Sequence, residues 1–127
     1  MNILDLAVST ESFEVVFTHP ATGKDIVLEN HKPMSAKVYS CHSGTSEAAF
    51  EKMKHKMRAL INEDGDIDSE AYAKVYAEAV VDACESIYLD PDFDRDDNIE
   101  TLVNPEYKWL LKQFTAAMDK HANFMQG

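Results

Sequence analysis

The stretch NPEYKWLLKQFTAAMDKHANF, Asn104 to Phe124, decides the fold. Asn104 is a helix-capping residue type, Pro105 has the fixed φ that suits a first helical position, and Glu106 complements the positive end of a helix dipole. Tyr107, Leu110, Leu111, Phe114, Ala117, Met118, His121 and Phe124 then recur at steps of three and four, while Lys108, Lys112, Asp119 and Lys120 take the other side. One face of a single helix is therefore built to be covered. At about 1.5 Å per residue the helix reaches roughly 30 Å, the width of a small domain. Two covers fit that length: the chain's own core or the surface of a partner.

Two more helices are expected upstream. Thr45 or Ser46 caps one whose Phe50, Met53, Met57, Leu60 and Ile61 form a stripe, ending near Asn62 to Gly65. Asp68 caps the next, with Ile67 and Tyr72 at the spacing of a hydrophobic staple, and its stripe runs from Tyr72 and Tyr76 through Val80 to Cys84 and Ile87. Asp90 to Glu100 reads as a loop, because Pro91 and a row of like charges both oppose regular structure. Nearer the N-terminus, Phe13, Val15 and Phe17 alternate with Glu14, Val16 and Thr18 as in a strand. His19 to Lys24 supplies a turn, and Asp25 to Glu29 reads as the returning strand of a hairpin. Met34 to His42 suits either helix or strand. The expected fold is α+β and mostly α-helical, with three main helices and an N-terminal β-hairpin. It forms a single domain over 1–127, with a hairpin region at 10–30 and a helical region at 45–127.

Composition narrows the function. With 127 residues, 45% of them hydrophobic, the chain suits one modest core. Lys and Arg number 12 against 23 Asp and Glu, and the net charge of -11 repels phosphate backbones and anionic lipid. Neither nucleic acid nor membrane is an expected partner. No apolar run approaches the roughly 20 residues of a membrane span, and Met1 to Ser9 lacks a basic signal-peptide start, so a cytoplasmic protein is expected. Cys41 and Cys84 are read as free thiols.

No catalytic constellation emerges. Cys84 lies in an apolar stripe that blunts its reactivity, Cys41 has no recognisable partner base, and Cys41-His42 lacks the further ligands that zinc needs. The four glycines form no phosphate-cradling loop. The acidic loop invites a calcium reading, with Asp92, Asp94, Asp96 and Asn98 at alternating ligand positions. The sixth place is nevertheless Asp97 rather than Gly, and the twelfth is Val103 rather than Glu. No catalytic residue, metal ligand or cofactor is assigned, and a calcium-responsive small acidic binding module stands as the alternative function. What remains is surface. Met53 and Met57 offer adaptable apolar contact, and Tyr107 and Trp109 widen the stripe of the last helix toward an interface anchor.

The chain also resembles a family. SFEVVFTHPATGKDIVL (Ser12 to Leu28) has a strand, a P-x-T-G-K turn and a second extended run; PMSAKVYS (Pro33 to Ser40) leads into the helical part. From Ala71 to Met125 come a helix, a short acidic segment, Asn104 opening a terminal helix, the Leu110-Leu111 pair and a closing Asn123-Phe124. These spaced positions resemble the tail assembly chaperones of long-tailed bacteriophages. Where members of that family carry a Trp after the middle helix, this chain has Ile87-Tyr88-Leu89. The resemblance implies a non-enzymatic, homo-oligomerising protein of the host cytoplasm. Such a protein binds the tape measure protein, helps recruit tail tube protein, and is not retained in the mature virion. Its expected partner-binding residues here are Tyr107, Trp109, Leu110, Leu111, Phe114, Met118 and Phe124, with Met53 and Met57.

Overall fold

A computed structural model describes Ile3 and residues 11 to 120. Within them the order is β1 (Phe13–Val16), β2 (Ser35–Val38), α1 (Gly44–Leu60), α2 (Ser69–Asp82), β3 (Cys84–Tyr88), α3 (Arg95–Val103), a 3-10 turn (Pro105–Tyr107) and α4 (Lys108–Lys120). The fold is α+β and mostly helical, as expected, but four α-helices rather than three surround an antiparallel sheet ordered β1-β2-β3.

The strand through Phe13 and Val15 is present, yet its partner is not the expected one. β1 pairs with β2, Phe13 opposite Val38 and Val15 opposite Ala36. Asp25 to Glu29 instead forms the middle of a narrow arm, joined to its neighbours by isolated bridges at Thr18–Asp25 and Val27–Pro33. The turn at its first tip is as read: Gly23 takes φ 70°, and its N–H donates to His19 O at 2.8 Å. Met34 to His42 resolves in favour of a strand, with Ala36 and Val38 buried and Lys37 exposed between them, the alternation of a half-covered sheet.

Three other expectations are corrected. The middle helix stops at Asp82 rather than reaching Ile87, and Cys84 onward becomes β3, with Ile87 opposite Ala36 and Tyr88 opposite Ser35. A bulge leaves Glu85 as an extra residue between the Val38–Cys84 and Lys37–Ser86 pairs. The acidic segment is only briefly a loop. Asp94 and Asp97 form a capping box, each accepting the other's backbone N–H at 2.9 and 3.1 Å, and α3 starts there. Carboxylates that repel one another in a loop are favourable at the positive end of a helix. Arg95 pairs with Asp82 at 3.0 Å and removes part of the remaining repulsion. The first helix is capped by Ser43, whose Oγ accepts the Ser46 N–H at 3.1 Å, rather than by Thr45 or Ser46.

The last helix closes the chain's own core. Leu110, Phe114 and Met118 are 1%, 0% and 2% exposed and pack with Phe17, Val38, Val80 and Leu102. The Phe114 and Phe17 rings sit 4.6 Å apart, and each such side chain contributes about 1.5–3 kcal/mol by leaving water. Gln113 fixes the register: its Oε1 accepts the Thr18 N–H at 2.9 Å and its Nε2 donates to Thr18 O at 2.8 Å, the pair of bonds a neighbouring strand would make.

Candidate client-binding groove

Helix α2 starts where Asp68 accepts the Ala71 N–H at 3.1 Å, and α4 is introduced where the Asn104 side chain accepts the Glu106 N–H at 3.0 Å. Asn104 and the first turns of α2 line a common depression. One part, about 690 Å3, is lined by Ala73 and Lys74 of α2 and Ile99, Glu100 and Val103 of α3. The adjoining part, about 510 Å3, is lined by Tyr72 and Tyr76 of α2, Leu102 of α3, and Lys108 and Leu111 of α4. Ala73, Val103, Asn104 and Pro105 belong to both, so the two make one open groove. The small Ala73 side chain widens its floor, and Pro105 presents a ring with no N–H to satisfy.

One wall is aromatic. Tyr72 and Tyr76, one turn apart, stack at 6.3 Å with planes 6° apart, and Phe50 of α1 lies 6.3 Å from Tyr76. Burial, then the neighbouring Tyr72 and Asp119, push the Tyr76 phenol up from its ordinary value, which keeps it protonated and able to donate. Tyr72 is 45% exposed, a large ring left open to solvent. Charges of both signs edge the groove: Glu70 and Glu100 with Lys74 and Lys108. An apolar floor with mixed charged margins suits an amphipathic helix.

The structure separates the expected partner-binding residues. Leu111 lines the groove, half-buried. Leu110, Phe114 and Met118 are in the core, Leu110 also forming part of the lining of a smaller pocket. Tyr107 is 40% exposed and Trp109 half-buried, and both line a different, smaller pocket. Met53 and Met57 are half-buried on α1 and line neither part of the groove. His121 and Phe124 lie outside the described residues. Sequence reasoning assigned Tyr72 and Tyr76 to a buried stripe and overlooked Ala73, Val103 and Pro105. The signal that could have found them is the pair of tyrosines four residues apart, since a Tyr keeps a polar tip that a fully buried stripe has no use for.

Other chemistry is not supported by the geometry. Burial, and secondarily Asp82, pushes the Cys84 thiol up to about 12; burial and then Asp119 raise Cys41. Both shifts oppose formation of a nucleophilic thiolate. Of the positions in the alternative calcium reading, Asp94 is committed to the capping box with Asp97. Among the described residues no group of three His, Cys, Asp or Glu is placed to hold a metal ion, and no helix is long and apolar enough to cross a membrane. Comparison with protein families, curated proteins and solved structures finds no match to this chain.

Proposed function

We propose that this chain is a phage tail assembly chaperone. Its groove takes amphipathic helices of the tape measure protein, keeps that client soluble in the host cytoplasm, and helps recruit tail tube subunits. It works without catalysis and leaves before the virion is complete. The observation that carries the reading is the open groove between α2, α3 and α4, with Tyr72 and Leu111 exposed or half-exposed along it. The resemblance read from Ser12 to Leu28 and Ala71 to Met125 supplies the client. A net charge of -11 also fits the role, since several copies along one client would keep the assembly dispersed by repulsion.

The test is co-expression with the tape measure protein, followed by size-exclusion chromatography with light scattering. The expected result is a soluble complex with several copies of this chain per client. Tyr72→Asp, at an exposed position, should keep the circular dichroism spectrum of the wild type and leave the client in the pellet. A client that precipitates equally with and without this chain would remove the reading.

A further inference from the structure

The arm, the segment after β3 and the start of α4 enclose a second pocket of about 250 Å3. Phe93, Tyr107 and Trp109 line it, and none of the three is fully buried. The Tyr107 and Trp109 rings lie 6.4 Å apart with planes inclined by 46°, so they form two walls at an angle rather than a closed stack. Met34 and Leu89 supply apolar lining, and among the described residues that line it Asp90 is the one charged side chain. The Asp90 Oδ1 holds the Asp92 N–H, which fixes the carboxyl group in place.

Each candidate occupant meets a different fate in this pocket. An anion is opposed by Asp90 and by the negative faces of the rings. A bare metal ion needs several oxygen ligands and finds one carboxylate. Cofactors need larger sites, of roughly 300 Å3 and more. A cation on an apolar stem satisfies everything present: rings for the charge, Asp90 as counter-ion, and Met34 and Leu89 for the methylenes. The surface already makes this kind of contact internally, with Lys32 Nζ 5.9 Å from the centre of the Tyr88 ring.

We propose that the pocket formed by Phe93, Tyr107, Trp109 and Asp90 receives a lysine or arginine side chain from a protein partner. It is separate from the groove, and does not depend on which protein that groove takes.

Trp109 is the single tryptophan of the chain, so its emission reports the pocket directly. The whole chain is titrated with N-acetyl-arginine amide, N-acetyl-lysine amide, their uncharged analogue N-acetyl-norleucine amide, and the free diamine putrescine. The expected result is a saturable change with the two cationic amides, and binding of norleucine amide about tenfold weaker. Asp90→Asn keeps an oxygen for the Asp92 N–H while removing the charge, and should weaken the cations about three- to tenfold without altering the norleucine response. Phe93→Ala, at a ring 41% exposed, should weaken both cations while leaving the fold intact. Equal responses to norleucine and the cations, no saturable response, or an unchanged titration in Asp90→Asn would each overturn the proposal. Tighter binding of putrescine than of either amide would overturn the assignment to a protein side chain in favour of a small amine.

Discussion

Helix α4 buries Leu110, Phe114, Ala117 and Met118 against the sheet and its neighbours, whereas α1, with 17 residues, fully buries only Ser46 and Ala49, both near its start. At the far end of α1, Leu60 and Ile61 remain 42% and 48% exposed. Both segments carry a stripe of apolar residues at helical spacing. The difference lies in what each meets. α4 enters a space bounded by β2, α2 and α3, where Phe17 and Val38 already point inward. α1 rests chiefly on α2, through the Phe50 and Tyr76 rings and a Lys56–Glu78 ion pair at 2.7 Å. An amphipathic stripe states that a face can be covered; the number of neighbours decides how completely.

The sharpest way to break this contrast is to place a charge on each helix. Phe114→Asp should abolish folding, since an unpaired carboxylate would lie in the core, while Leu111→Asp at its half-buried position should cost clearly less. In urea titrations, Phe114→Ala should lose about 3–5 kcal/mol and Leu110→Ala about 2–5, against less than about 1 for Leu60→Ala. Equal losses at Leu110 and Leu60 would erase the distinction between the helices. Next in size, Asp68→Ala should remove about 1 kcal/mol by freeing the first turn of α2, read as a lower urea midpoint with an unchanged slope.

Smaller effects sharpen the account of α1. A hydrogen bond from Lys56 holds the Glu78 carboxyl below its ordinary range, overcoming the opposing effect of burial. A carboxyl depressed in the folded state contributes stability above its unfolded value and loses it as pH falls through the folded one. Acidification through and below the ordinary carboxylate range should therefore weaken the fold. Lys56→Met should flatten that part of the profile by a few tenths to about 1 kcal/mol, a modest amount because the Lys56 side chain is 43% exposed. For Cys84 the sign reverses. Its thiol is raised to about 12, so its contribution is complete below the unfolded value and is lost as alkaline pH approaches 12. At mildly alkaline pH it should react with a disulfide reagent far more slowly than in urea.

Much of the fold was legible in residues with a single local meaning. Asp68 caps where read, the turn at His19 to Lys24 forms, and Leu110, Phe114 and Met118 share one face. The failures have common physics. Val80, Cys84 and Ile87 keep helical spacing, but the bulge at Glu85 disguises the two-residue alternation of the strand that begins at Cys84. The capping box of Asp94 and Asp97 was masked by the surrounding acids, which read as repulsion until a helix end is placed among them. Asp25 to Glu29 has the composition of a strand, yet β1 finds a longer-range partner in β2. The groove was the least legible part, because it is made by three helices and the turn between two of them, and one of those helices was not foreseen.

The pairing of β2 with β3 places the whole of α1 and α2 between two neighbouring strands, and Phe17 packs on the ring of Phe114 from the last described helix. Closing so long a loop adds little to the equilibrium cost, which grows with the logarithm of its length, but distant pairings slow folding. On a ribosome the order of arrival is fixed. Ala36 and Val38 are made before Ile87 and Leu110, so during synthesis of α1 and α2 the strand that carries them waits with its β3 edge unpaired and its α4 cover missing.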